Sequence, residues 1–259
     1  MRIITSLQNQ QLKLYRSLEK RKFRKKLDLI PLEGVRLISD ALQRGIVPET
    51  VFVRENVNLP FLHALPAQTK VLTVEGKIFD QTAFTESPQG ILAIVKKPQV
   101  SLDNIFAGEP ALILVVDRVQ DPGNLGTMLR SAAAAGASGA VMLPQTVDPT
   151  NPKALRASMG TYFSLPVVET DFPRLYEALQ KRRILLVTTT NSDAVVYHSF
   201  DWTKSVAVVV GNEGSGISAE IEAVADVAVT IPMSHAVESL NAATAMSVLF
   251  FEAARQRYG

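Results

Sequence analysis

Cysteine is absent from the chain. That excludes disulfides, thiolate metal sites and any mechanism that needs a cysteine nucleophile, and it fits a reducing cytoplasm. Long hydrophobic runs are absent as well. No window approaches the roughly 18 uninterrupted apolar residues of a membrane span. The N-terminal "MRIITSLQNQQ" has no apolar signal-peptide region behind its basic residue, so a cytoplasmic location is expected. Histidine is scarce: His63, His198 and His235 are scattered without the spacing of metal ligands, and no metal is expected. No Gly-Lys-Ser/Thr ending of a phosphate-binding P-loop occurs. "GNEGSG" is not the G-x-G-x-x-G of a dinucleotide site and follows a late strand, which leaves little for a nicotinamide dehydrogenase.

What is present suits a soluble globular protein with room for two domains: 259 residues, 47% hydrophobic and 20% charged. The net charge of +2 says less than its distribution. In "RSLEKRKFRKK", Arg16 to Lys26, seven residues are basic and only Glu19 is acidic. Such a run is either a solvated helix face or a contact with phosphates, where lysine and arginine gain free energy by releasing counterions. Phe23 is its single aromatic, so stacking on unpaired bases is not visible there.

Hydrophobic periodicity gives a coarse map. Gln8 to Leu27 reads as one long basic helix, and Glu33 to Arg44 as an amphipathic helix closed by Gly45. Thr50–Arg54, Lys70–Val74 and Gly90–Lys97 read as strands. Residues 1–97 thus form a small α/β unit, and 98–110, punctuated by Pro98, Gly108 and Pro110, read as a linker. A second α/β pattern fills 111–259. "ALILVV" suits a central parallel strand buried on both faces. It leads into the helix "LGTMLRSAAAAG", the strand "GAVML", a helix "KALRASMG", and strands at "ILLVTTT", "SVAVVVG" and "DVAVTIP". A helix from about Asn241 to Arg255, apolar almost all round, closes the chain. This alternation predicts a parallel sheet covered on two faces.

Ligands of such sheets bind at the carboxyl ends of strands, and three loops there have unusual composition. "DRVQDPGNLGTMLRSA" carries Asn124 and Arg130; "VVVGNEGSGIS" carries Glu213 among three glycines; "IPMSHAVESLNAA" carries His235, Ser239 and Asn241. Taken singly, each has a plain alternative. Asn124, Ser239 and Asn241 are all good helix caps, Glu213 suits a solvated loop, and Arg130 can lie along a helix surface. The low bulk of the glycine loop suggests close approach of the backbone to a ligand.

Together, "NLGTMLRSAAAAG", "VVVGNEGSGIS" and "IPMSHAVESLNAATAMSVLFFEA" resemble, in order, the three motifs of the SpoU (TrmH) family of RNA ribose 2′-O-methyltransferases, within the SPOUT superfamily. The likeness spans roughly Leu112 to Arg255, and the N-terminal unit looks like the substrate-binding domain often attached to this family. The resemblance implies a parallel sheet closed by a trefoil knot and S-adenosylmethionine as cofactor. Gly211, Ile231 and Leu240 would hold the methyl donor, helped by the neighbourhood of Thr189 and Asn212. Arg130 matches the motif arginine that activates the ribose hydroxyl, and Asn124, Glu213, Ser239 and Asn241 match the other polar positions. Because arginine is normally protonated, orientation and charge stabilisation by Arg130 stand beside base catalysis. Glu213 is expected to fix its guanidinium through a charge-assisted bond.

The resemblance also implies a homodimer in which the motif arginine reaches the neighbour's site. In that setting Lys20, Arg21, Lys22, Arg24, Lys25 and Lys26 become a backbone clamp for RNA. Ribosomal RNA is the expected substrate and transfer RNA its alternative. A non-catalytic RNA-binding or ribosome-assembly module of the same fold is the competing reading.

Overall fold

The computed structural model describes residues 3–190, 194–234 and 239–259. They form two compact units, one made of the chain through Gln99 together with Thr150–Phe163, the other of Val100–Pro149 with Ser164–Gly259.

The first unit opens with α1 (Gln10–Ser17) and α2 (Arg21–Leu27), where the sequence suggests one continuous helix. The break has a physical cause. The amides of Leu18, Glu19 and Lys20 bond three residues back, to Tyr15, Arg16 and Ser17, which tightens the backbone into turns. The Arg24 guanidinium then donates to the carbonyls of Leu18 and Glu19 at 2.7 and 2.6 Å. β1 (Leu29–Glu33) follows, then α3 (Val35–Gln43), β2 (Pro48–Arg54), β3 (Lys70–Val74), α4 (Gly76–Thr82) and β4 (Ile91–Lys96). The sheet runs β1-β4-β2-β3, with β4 antiparallel to both neighbours and β2 parallel to β3. Tyr15 and Phe52, both fully buried, meet edge to face at 5.8 Å, and Tyr15 stacks on Phe84 at 4.9 Å. Each such ring contributes on the order of 1.5–3 kcal/mol through burial. Burial, and then the nearby Glu33 charge, push the Tyr15 phenol well above its usual range. Its hydroxyl donates to the Leu32 carbonyl at 3.3 Å.

The second unit comprises β5 (Leu112–Val116), α5 (Pro122–Ala134) and β6 (Gly139–Met142) before the excursion of α6 (Pro152–Ser158). It resumes with β7 (Val167–Glu169), α7 (Phe172–Arg182), β8 (Leu185–Thr189), β9 (Val195–Val196), β10 (Val206–Val210), α8 (Ala219–Glu222), β11 (Val227–Thr230) and α9 (Ala242–Tyr258). Among the described residues the sheet has seven strands, all parallel, in the order β7-β6-β5-β10-β8-β11-β9. β5 and β10 are buried at every position, which is why they read as unbroken apolar runs. The order is compatible with the knotted threading that the resemblance implies.

Two boundaries differ from the sequence reading. The stretch 98–110 contains a short 3-10 turn, Leu102–Phe106, whose Ile105 enters the core of the second unit. A Cβ on Gly139 would lie 2.5 Å from that of Ile105, so this "linker" is pressed onto β6. Strand–helix alternation also places α6 in the second domain, yet Thr150–Phe163 belongs to the first unit. The Arg24 Nε–H donates to Thr150 Oγ1 at 3.0 Å. Gly160 meets Asp40 so closely that a Cβ would stand 2.7 Å from the aspartate Cβ.

Candidate active site

The glycine loop that leaves β10 is held by its own backbone. Asn212 and Gly216 exchange two backbone hydrogen bonds of 3.0 Å. A Cβ on Gly211 would lie 2.4 Å from the Gly216 carbonyl carbon and from the Ile217 nitrogen. The low bulk therefore serves first the close approach of the loop to itself. Asn212 Oδ1 accepts from the amides of Gly214 and Ser215 at 3.0 and 2.9 Å, and its Nδ2 donates to the Arg118 carbonyl at 2.9 Å. Arg118 ties the loop from outside. It pairs with buried Asp117 at 3.1 Å and donates to the Gly216 carbonyl at 3.2 Å, while Asp117 accepts from the Ser218 amide at 2.8 Å.

α5 begins a turn earlier than its apolar pattern suggests. Asp121 caps it by accepting from the Asn124 amide at 2.8 Å, which releases the Asn124 side chain from capping. Asn124 Nδ2 donates to Glu213 Oε1 at 3.0 Å, and Asn124 Oδ1 accepts from Asn241 Nδ2 at 3.0 Å. Asn241 is also the cap of α9, its Oδ1 accepting from the Ala243 and Thr244 amides at 2.9 and 3.2 Å. One hydrogen-bonded chain, Glu213–Asn124–Asn241, thus joins all three loops. Partial burial pushes the Glu213 carboxyl up. Bonds from Asn124 and from the backbone at Glu213, Gln120 and Asp121 outweigh it and leave the group below its ordinary value.

The second and third of these loops line a cavity of about 600 Å³ at the carboxyl ends of β8, β10 and β11. All five residues matched to cofactor binding, Thr189, Gly211, Asn212, Ile231 and Leu240, line it. So do Glu213, Ser239 and Asn241. Asn124 stands behind them, in contact through its two bonds. Arg130 is not in the lining; it lies exposed on α5 and has no hydrogen-bond or ion-pair partner among the described residues. The expected Glu213–Arg130 bond is therefore replaced, within one chain, by the Glu213–Asn124 bond. His235 falls outside the described residues. Sequence reasoning missed Arg118, which no motif pattern marks, and Glu222, a second carboxylate in the lining. In the first unit Lys20, Arg21, Lys22, Lys25 and Lys26 are exposed, whereas Arg24 is 3% exposed and turned inward.

The cavity fits S-adenosylmethionine in its chemistry. Its volume suits a nucleoside with an amino-acid arm. Leu240 is 37% exposed at its edge, and Met246 and Leu249 add apolar surface. Glu213 and Glu222 supply negative charge facing a space meant for a sulfonium.

Comparison with known proteins agrees with this geometry. Residues 111–251 match the SpoU rRNA Methylase family and residues 9–93 the MRM3-like substrate binding domain. The chain is 32% identical to the 23S rRNA (guanosine(2553)-2′-O)-methyltransferase RlmP of Bacillus subtilis, over 97% of this chain and 98% of that one. It is 33% identical to the 23S rRNA (guanosine-2′-O-)-methyltransferase RlmB of Escherichia coli, over 86% and 97%. The AdoMet complex of AviRb from Streptomyces viridochromogenes superposes with a TM-score of 0.90 at 30% identity, covering 96% of this chain and 98% of that one. An AdoMet-bound rRNA methyltransferase from Sinorhizobium meliloti also gives 0.90 at 30% identity, covering 100% and 99%. The chain belongs to the SpoU rRNA methylase family, as an RNA 2′-O-methyltransferase that uses S-adenosylmethionine.

Proposed function

We propose that the protein methylates a ribose 2′-hydroxyl of ribosomal RNA in the cytoplasm, as a homodimer in which Arg130 of one protomer serves the cavity of its partner. The observation that carries this reading is the Glu213–Asn124–Asn241 chain beside the cavity. The match of residues 9–93 to a substrate binding domain supports RNA bound through the first unit. Relatives spanning both units are named rRNA methyltransferases, which favours ribosomal over transfer RNA.

A ribose hydroxyl is a poor nucleophile and must be positioned and relieved of its proton. When bound, S-adenosylmethionine supplies the electrophilic methyl group. Asn124 and Asn241 each keep a second amide N–H, fixed in direction by the first, with which to orient a sugar oxygen. Glu213 stays ionised near neutral pH and accepts hydrogen bonds. In this reading Arg130 orients the ribose and stabilises charge, and the hydroxyl proton leaves to solvent as the oxygen is methylated. The exposure of Arg130, and its lack of a side-chain partner among the described residues, support a role across a dimer. Phe251, 51% exposed on α9, supports an apolar contact with a partner. The exposed Lys20, Arg21, Lys22, Lys25 and Lys26 act as phosphate contacts, and affinity for RNA falls steeply with salt.

The test pairs two inactive variants. Arg130→Ala is expected to bind S-adenosylmethionine and transfer no methyl group, and Asn241→Ala to lose its own cavity. Mixed and reannealed, they regain activity only if the arginine acts across the dimer. Mapping resistance to alkaline cleavage along ribosomal RNA locates the product, since a 2′-O-methyl group blocks cleavage at that bond.

A further inference from the structure

The first unit holds a second cavity, of about 290 Å³, that the methyl-transfer chemistry does not use. It is lined by Glu33 at the end of β1, Arg36 and Leu37 of α3, Ser87, and Arg156 and Met159 at the end of α6. Glu33 is buried and already held by other donors. Its carboxylate accepts from the amides of Phe84 and Thr85 at 2.8 and 3.2 Å and from the Thr85 hydroxyl. Arg156 gains its charge but not a hydrogen bond from it: Nη1 stands 3.9 Å from Glu33 Oε2. That Nη1 is buried and has no hydrogen-bond partner.

A buried charged donor without an acceptor is costly, on the order of 1–3 kcal/mol or more, and native structures rarely leave one without a reason. Arg36 brings a second guanidinium to the same cavity, exposed and without a side-chain partner among the described residues. Two guanidiniums against one satisfied carboxylate leave unmet donors and net positive charge. Their planar fork matches the two oxygens of a phosphodiester. Leu37 and Met159 add apolar surface of the kind a base face covers. The volume lies near the lower end of the roughly 300–1,000 Å³ of small-ligand sites, too small for a duplex.

We propose that this cavity takes one unstacked nucleotide of the substrate RNA, distinct from the nucleotide that is methylated. Its phosphate sits on Arg156 and Arg36, and its base lies against Leu37 and Met159. This rests on the RNA-methyltransferase reading and extends it to a recognition pocket in the first unit.

The absence of cysteine makes a direct test possible. Ser87→Cys places the sole thiol of the chain at the cavity. Its labelling rate with a maleimide is measured with and without purified ribosomal RNA, against Gln43→Cys, an exposed position at the end of α3 outside the lining. Ribosomal RNA is expected to slow labelling of Ser87→Cys several-fold more than that of Gln43→Cys. Arg36→Gln, at an exposed position that leaves the Glu33–Arg156 pair in place, is expected to raise KM for RNA several-fold while S-adenosylmethionine affinity stays as in wild type. Equal protection of the two thiols, or an unchanged KM, overturns the proposal even when the wild type methylates RNA. A wild type that transfers no methyl group sinks the enzyme reading instead, and the labelling rates then still judge the cavity.

Discussion

Asn241 donates from Nδ2 to Asn124 Oδ1 at 3.0 Å, tying the start of α9 to the first turn of α5 across 117 positions of sequence. Because Asn241 also caps α9 and Asn124 also holds Glu213, the two amides form a relay in which each fixes the other's orientation. Asn241→Ala is expected to cost about 0.5–2 kcal/mol as a lost cap, and Asn124→Ala about 1–3 kcal/mol as two lost hydrogen bonds. Since the two share a bond, the double variant should lose less than the sum of the single ones, with a coupling of at least about 0.5 kcal/mol. Denaturant unfolding of the four proteins measures it, and strict additivity would show the relay to be absent in solution.

Two of the loop's three glycines should behave in opposite ways. A Cβ at Gly211 collides with backbone of Gly216 and Ile217 at 2.4 Å, where no side chain can swing away. Gly211→Ala must therefore rebuild the loop and is expected to lose S-adenosylmethionine binding. At Gly214 the nearest atom to an added Cβ is Asn212 Oδ1, at an ordinary 3.6 Å. Gly214→Ala should bind the cofactor within a few-fold of wild type. Calorimetric titration separates them; equal affinities for the two variants would refute this account of the loop.

The basic N-terminal run divides into structure and surface. Arg24 donates to Leu18, Glu19 and Thr150 from a buried position. Arg24→Ala is expected to destabilise the protein by more than about 2 kcal/mol, since it strands the buried Leu18 carbonyl and the Thr150 hydroxyl. Lys22→Ala, at an exposed position, should change stability by less than about 0.5 kcal/mol yet weaken RNA binding and flatten its salt dependence. Thermal unfolding and filter binding at several salt concentrations report the two effects separately.

Much of this fold is legible in the sequence because burial on both faces leaves a plain imprint. β5 and β10 are unbroken apolar runs, and β3 falls on Lys70–Val74, where its pattern places it. β1 escapes notice because "LIPLE" contains a proline and a glutamate, and the burial of Glu33 is made tolerable only by amides from Phe84 and Thr85, some fifty residues away. The return of α6 to the first unit rests likewise on Arg24 reaching Thr150, a contact with no local signature. In the cavity, residue types and loop positions were readable, but partners were not. Composition offers Glu213 a cation, and geometry gives it Asn124, because Asp121 takes over the capping that Asn124 could have done.

The carboxylate at the centre of that relay sets a pH dependence. Glu213 titrates below its ordinary value in the folded protein: burial raises it, and the bonds from Asn124 and the backbone lower it by more. A folded pKa below the unfolded one means that the stabilising contribution is complete above the unfolded value of about 4.3. It is lost as pH falls through the folded value. Between pH 5 and 8 the relay should therefore be insensitive to pH, and it should break only in stronger acid. Carbon-13 NMR of the side-chain carboxyls gives the titration directly. Glu252, held by Arg255 and lowered to about 2, provides an internal reference on α9, away from the loop. In Asn124→Ala the Glu213 titration should move up toward the ordinary range while Glu252 stays where it is. A Glu213 midpoint unmoved by that substitution would mean that the backbone alone holds the charge, and that Asn124 is free for another task.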